Sequence, residues 1–487
     1  MIYRHMEFCR MTKLPALCRS RKKPIFHKLD AQTYIRTPPL ILKNGKASME
    51  SSLSSAHSYS DEIPRIAVVG GGASGLTAAF FAAQTGVKVT VLERTRECGK
   101  KILMSGGTRC NVLPLRCNLE GDFFSESSKS ALRAVFASWS VEDCKRWLEA
   151  ENGIGLELGL ERETNKYFPE VRDKLVAACE RAGVEFRYNC SVEDIRPVEG
   201  SAFECLTSSG GERFDRLIIS TGGLSFPKVG TDGTGHRILS GLGHSLGRGV
   251  YPALTPLLAA HPSGANLAGL SLYSVALECR RSGSGKSKGR RRKAAEAQRS
   301  GLLFTHRGYS GPSVLDLSHH AVQAMERGEE RPVLRVSWNG EDAAAWGERL
   351  ASGGRSTVGG LLKKALPQRL ADALCAEAGV SPERRVAEMR KAERGALLRA
   401  VAEYEIPYDG HQGYAKAEVT GGGVPLTEVN CSTMESKVLP GVHLCGEVCD
   451  VFGRIGGFNF YWAWLSGRLA GLGAASADAG APRRDVR

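Results

Sequence analysis

No run of about 18 consecutive apolar residues occurs in this 487-residue sequence, so a membrane-spanning helix is not expected. A secretory signal is missing too, because the patch Leu14-Pro-Ala-Leu-Cys18 is too short and is broken by Pro15. There is no HExxH and no Cys/His ligand set, which leaves no metal to expect. Fourteen cysteines are scattered without a disulfide framework. The tightest spacing, Cys445-Gly-Glu-Val-Cys449, places three residues between the thiols, so it is not a redox CxxC. No internal repeat is evident. What is present suffices for folding: 42% hydrophobic residues can fill sizeable cores, which excludes a wholly disordered chain. The length sets a prior of roughly three domains.

Charge is abundant but localised. The formal net charge is +14, which invites a nucleic-acid reading. Residues 1–60 hold eleven Lys/Arg against Glu7, Asp30 and Glu50, a net +8. The run from Arg280 to Arg299 holds nine bases against Glu296, again +8. The rest of the chain is therefore close to neutral. The first segment is acid-poor and ends in seven serines between Ser48 and Ser60. That composition predicts an organellar transit peptide, chloroplast ahead of mitochondrion, with a disordered tail, or upstream sequence before a start at Met49, as the alternative. The second segment is Gly/Ser-punctuated and reads as a solvated loop.

Glycine is in excess, 57 of 487 residues or about 12% against a usual ~7%. No Gly-X-Y period accompanies it, which turns attention to phosphate-binding loops. Ile66-Ala-Val-Val69 reads as a short buried strand and runs into Gly70-Gly-Gly-Ala-Ser-Gly75. A helical pattern follows to about Gln84, Gly86 ends it, and Lys88-Val-Thr-Val-Leu-Glu93 reads as the next strand. This is the strand–turn–helix–strand context that a GxGxxG match requires. Gly70 allows the tight turn, Gly72 admits a pyrophosphate, and Gly75 permits close helix–strand packing. The helix start, with Ala73 and Ser74, offers N–H groups and a positive dipole end to phosphate. Glu93, 18 residues beyond Gly75, suits ribose hydroxyls and repels a 2′-phosphate, favouring FAD or NAD over NADP.

The following segment favours FAD. Cys98-Gly-Lys-Lys-Ile-Leu-Met-Ser-Gly-Gly-Thr-Arg-Cys-Asn111 reads as a polar loop, suited to wrapping an extended dinucleotide. Arg216-Leu-Ile-Ile-Ser-Thr-Gly-Gly223 and Gly441-Val-His-Leu-Cys-Gly-Glu447 are strands ending in polar turns. Gly456-Gly-Phe-Asn459 opens an apolar helix whose N-terminus suits negative charge on a reduced flavin. Only one complete dinucleotide fingerprint is present, so one bound FAD is expected, with NAD(P)H or another carrier arriving transiently.

These motifs carry a resemblance. Beside those above stand Phe304-Thr-His-Arg-Gly-Tyr-Ser-Gly-Pro312, Glu418-Val-Thr-Gly-Gly-Gly-Val424, Thr433-Met-Glu-Ser-Lys437 and Gly446-Glu-Val-Cys-Asp450. Together they resemble the BaiN/YhiN-type flavoproteins, the NAD(P)/FAD-dependent or aminoacetone-oxidase-family oxidoreductases, over about residues 64–475. The resemblance implies an α/β fold, an FAD-binding Rossmann-like domain interrupted by an insert with a small β-barrel and a helical subdomain. It implies FAD as cofactor and leaves the substrate unassigned. One departure is Thr108, which stands where a third glycine is usual.

The expected organisation is a leader at 1–63, a first cofactor segment at 64–250, an insert at 251–410, a second cofactor segment at 411–475 and a tail at 476–487. Candidate cofactor contacts are Gly70, Gly72, Ala73, Ser74, Gly75 and Glu93 at the fingerprint, and Lys101, Ser105, Gly106, Gly107, Arg109, Cys110 and Asn111 in the loop. Thr221, Gly222, Gly446, Glu447, Asp450, Gly456, Gly457, Phe458 and Asn459 complete the set, Asn459 doubling as a helix cap. His306 and Arg307 are the catalytic candidates, since an imidazole can exchange a proton near neutral pH; local backbone bonding is the rival reading. His319 and His320 read as surface residues and His443 as a satisfied strand residue. The leading expectation is an FAD-dependent oxidoreductase acting on a small organic substrate, with no membrane or nucleic-acid partner. The alternative is a flavin-bound RNA-modifying protein whose 280–299 loop engages phosphates.

Overall fold

The computed structural model describes residues 63–105, 111–156, 168–199, 202–261, 267–280, 295–296 and 300–476. The leader, the body of the basic run, the tail beyond 476, and Gly106, Gly107, Arg109 and Cys110 lie outside the described residues. Among the described residues, no helix is long and apolar enough to cross a membrane.

Strand β1 (Arg65–Val69) and strand β2 (Lys88–Leu92) are β-branched and buried beyond their first residues, as parallel strands covered on both faces must be. Helix α1 (Ala73–Ala83) crosses between them, and Gly86 at φ +90° turns the chain back. The central sheet has seven strands, five of them parallel. Their order is Glu185–Arg187, β2, β1, Arg216–Ile219 and Val442–Leu444. Register does the positioning. Val69 lies opposite Leu92 and Ile219, and Leu444 lies opposite Ile219. Gly70, Glu93, Ser220 and Cys445 therefore follow at one level along the carboxyl edge of the sheet, the edge where ligands bind in open α/β folds. The segment after β2 is not all loop: Lys100–Met104 forms a short helix. The helix Phe168–Arg181 then leads to the strand Glu185–Arg187. A three-stranded antiparallel sheet, residues 192–214, precedes Arg216–Ile219.

The helix Phe458–Ala475 packs lengthwise on α1. That contact needs glycine, since a Cβ on Gly467 would lie 2.5 Å from the Ser74 carbonyl oxygen and one on Gly471 2.3 Å from that of Ala78.

Between the two halves of this lobe the chain builds a second core. An eight-stranded antiparallel sheet has Ser271–Arg280 near its middle, beside Val333–Ser337 and Ser300–Thr305. Helices including Ala343–Ser352, Gln368–Glu377 and Lys391–Ala402 cover it, and Trp338, Trp346 and Leu374 fill its interior. The two lobes meet where Tyr251–Ala253 pairs antiparallel with Val419–Gly421. The helix Pro312–Glu326 lies at this junction, and Asp316 Oδ1 accepts a 2.8 Å bond from the Ile455 N–H. His319 on that helix is buried between the Phe124 and Phe452 rings, not on the surface, because a helix between two lobes has no free face there. His443 is fully buried in its strand, and burial first, then the Arg216 charge, push its pKa down to about 3, keeping the ring neutral.

Candidate cofactor cavity

One cavity follows the row set by the sheet register. Its wall begins at Cys190 and Ser191, passes Glu93, Gly70 and Gly72, continues over Ser220, Thr221 and Gly222, and reaches Gly446 and Glu447. Beyond them it meets Gly456 and Gly457 and the lobe junction at Leu254, Glu418 and Val419.

The glycines show what space the cavity needs. Gly70 has φ +101°, and a Cβ there would lie 2.8 Å from the Ser220 carbonyl oxygen. A Cβ on Gly75 would lie 2.0 Å from the Gly70 oxygen, so Gly75 packs the turn and does not line the cavity. Gly72 differs: nothing lies within 4 Å of a Cβ built there. Its missing side chain leaves open space directly before the first turn of α1, and Ala73 and Ser74 also face the cavity. No side chain caps α1 at Gly72, and none caps the helix Phe458–Ala475 at Gly457. Two helix N-termini thus open on one cavity with unspent N–H groups and positive dipole ends. A pyrophosphate at one and an electron-rich ring at the other fit this arrangement.

Acidic side chains set the polar contacts. Glu93 Oε2 accepts from Gly71 N–H at 2.8 Å, and Oε1 accepts from Thr95 N–H at 2.8 Å and its hydroxyl at 2.7 Å. These bonds hold the carboxylate at the end of β2 with lone pairs left for a ribose. Glu447 pairs with Lys101 at 2.7 Å through Oε2 and accepts from Thr420 N–H at 2.9 Å through Oε1. Gly446 has φ +75°; its N–H donates to Ser466 Oγ at 3.0 Å, and its carbonyl accepts from Trp462 Nε1 at 2.9 Å.

The cavity gathers Gly70, Gly72, Ala73, Ser74, Glu93, Lys101, Ser105, Asn111, Thr221, Gly222, Gly446, Glu447, Gly456, Gly457 and Asn459. Asn459 does not cap its helix, since Gly457 occupies that position. Its Oδ1 accepts from Gly453 N–H and its Nδ2 donates to the Gly453 carbonyl, both at 2.8 Å, which fixes the backbone leading into the cavity. Asp450 and Phe458 lie outside the lining. Asp450 is buried and accepts from Glu126 N–H at 2.8 Å and Ser125 Oγ at 3.1 Å, so it anchors that segment instead. Burial pushes its pKa up to about 6. Phe458 packs edge-on to Phe123.

His306 and Arg307 are not brought to the cavity. They form the exposed tip of the hairpin between Ser300–Thr305 and Gly308–Ser310. Thr305 organises that turn, its Oγ1 donating to the Gly308 carbonyl at 3.1 Å and accepting from Arg307 N–H at 3.2 Å. The bonds of this turn are made by Thr305 and backbone groups, not by the His306 or Arg307 side chains that the rival reading invoked. Among the lining side chains that motif reading passed over are Leu254, Glu418 and Val419. Only Glu418 left a signal in sequence, an acid heading the glycine-rich run to Val424.

Comparison with known proteins agrees with this architecture. Residues 64–473 match the HI0933-like protein Rossmann domain. A ribosomal RNA dihydrouridine synthase of Escherichia coli is 31% identical, the match covering 82% of this chain and 95% of that protein. One of Haemophilus influenzae is 30% identical, covering 85% and 98%. A 3-dehydro-bile acid delta(4,6)-reductase of Clostridium scindens is 28% identical, covering 84% and 99%.

Proposed function

This chain belongs to the HI0933-like family and is an FAD-dependent oxidoreductase, and from that premise we propose that it reduces a carbon–carbon double bond conjugated to a carbonyl, with uracil in RNA as substrate. Bound in the cavity, FAD supplies the hydride-transferring centre. The chain's own part is to orient it. Gly72 and the α1 N-terminus would hold the pyrophosphate, Glu93 the ribose, and the Gly456–Gly457 helix start the ring, with Lys101, Ser105, Asn111, Thr221, Gly222, Gly446 and Glu447 lining the cavity between.

The carrying observation is the likeness, over 82% and 85% of this chain, to two proteins named for making dihydrouridine in ribosomal RNA. Dihydrouridine differs from uridine by saturation of the ring double bond conjugated to a carbonyl. The bile-acid relative is named for reduction of the same kind of bond in a keto-steroid, which favours a small organic substrate as the second reading. The charge distribution supports RNA. Beside the +8 of 280–299, residues 343–402 carry eleven Lys/Arg against six Asp/Glu, and basic surfaces gain affinity for phosphate backbones by counterion release.

The purified FAD protein, given NADPH and an unmodified ribosomal RNA transcript, is expected to add two hydrogens to a uridine, read by mass spectrometry of the nucleosides. Deleting 280–299 is expected to weaken RNA binding and its salt dependence. An unaltered transcript, together with flavin reoxidation by a conjugated keto-steroid, would reject RNA in favour of the small substrate. We also propose that residues 1–63 direct the protein to an organelle, the chloroplast ahead of the mitochondrion. A fluorescent fusion of that segment that stays cytosolic in plant cells would refute this.

A further inference from the structure

The cavity wall contains five carboxylates among the described residues, Glu93, Glu97, Asp232, Glu418 and Glu447. Four are engaged. Glu93 holds Gly71 and Thr95, Glu97 pairs with Arg172, Asp232 pairs with Arg94, and Glu447 bridges Lys101 and Thr420. Glu418 alone has neither hydrogen bond nor ion pair on its carboxylate among the described residues. No histidine or tyrosine accompanies it in that lining.

Its backbone is held firmly. The Glu418 N–H donates to the Leu254 carbonyl at 3.1 Å, and Leu254 is a buried non-glycine residue held at φ +53°. Such a conformation persists only where its surroundings enforce it. Ala417 and Val419 on either side are buried, while the Glu418 side chain is open to the cavity.

Resting on the double-bond reduction proposed above, we infer that Glu418 is its proton donor. The bond's π pair is consumed as one carbon takes a hydride from reduced FAD and the other takes the proton from the Glu418 carboxyl. Two C–H bonds form, the flavin ends oxidised, and the Glu418 carboxylate recovers its proton from water. A reduced nicotinamide dinucleotide restores the flavin. The surroundings shift this carboxyl toward its neutral form. Desolvation raises its pKa, and the charge acting against this is Lys101, which Glu447 already engages. An acid with a pKa nearer the working pH is the better proton donor.

Glu418→Gln tests this without removing the side chain's volume. The variant is expected to retain FAD, read by absorbance, and to be reduced anaerobically by NADPH at the wild-type rate. Reoxidation by the RNA transcript should slow by roughly 10²–10³-fold, in the range of a lost general acid, and Glu418→Asp should recover part of it. A second readout needs no substrate: the flavin absorbance of the resting wild-type protein should show a pH step as Glu418 ionises, absent in Glu418→Gln. Loss of FAD from the variant, unchanged reoxidation, or a pH step that persists would each overturn the assignment. If the wild-type protein leaves RNA unreduced, the uracil reading fails, and the pH step alone decides for or against Glu418.

Discussion

Gly72 and Gly75 sit three residues apart in one turn and answer to different neighbours. A methyl on Gly75 would press on the Gly70 carbonyl and on Ser220 Oγ at 2.6 Å, and forced overpacking of this kind costs about 1–3 kcal/mol. A methyl on Gly72 would meet no protein atom, and its φ of −76° suits alanine. Gly72→Ala is therefore expected to melt, once stripped of FAD, within about 0.5 kcal/mol of the wild type. It should nevertheless purify with less flavin, because the methyl fills the pyrophosphate space. Gly75→Ala should lose thermal stability even without FAD. Full flavin occupancy in Gly72→Ala, read by absorbance against protein concentration, would show that the phosphate does not lie before α1.

Among the elements, the helix Pro312–Glu326 ties the two lobes by one buried carboxyl. Asp316 is desolvated, which raises its pKa to about 6 against the opposing pull of the Ile455 N–H and Arg454. A carboxyl raised in the fold above its unfolded value near 4 is bound to its proton more tightly in the native state. Stability from this group accordingly falls as pH rises from about 4 to about 6. The cost above that window is at most about 3 kcal/mol. Asp316→Asn keeps an oxygen for Ile455 without the charge. Its melting temperature relative to wild type is expected to climb between pH 4 and pH 7 and then level. A difference that stays flat across that range would show that Asp316 is not held protonated. The α1 contact with the C-terminal helix is of another kind: Gly467 and Gly471 let two backbones touch, and the Arg468 guanidinium lies 5.5 Å from the centre of the Phe81 ring.

Across the whole molecule, charge and chemistry are kept apart. The cofactor lobe reads as a near-neutral α/β body, while the strongly basic runs lie in the leader and the insert. That separation lets an RNA reading and a buried flavin coexist in one chain. Much of the fold was legible because local signals agree there. β-branched strands, a glycine turn and an alanine-rich helix between Ile66 and Glu93 each specify the same α/β unit. Sequence also determined the cofactor class, since glycine spacing fixes where backbone can approach a phosphate. Residue roles were less legible where they depend on what lies opposite in space. His306 and Arg307 sit in a motif with catalytic residue types, but a hairpin carries them to an exposed tip. Asp450 is four residues from Gly446 and still bonds away from the cavity, to Ser125 and Glu126. Glu418 was only an acid beside glycines until the pairing of Tyr251–Ala253 with Val419–Gly421 set it in the cavity wall. Sequence by itself determined the strand–turn–helix chemistry, because backbone freedom and burial are local properties. Tertiary structure alone decided which acids of the cavity wall are engaged and, among the described residues, which one is not, because partners such as Lys101 and Glu447 meet only in the fold.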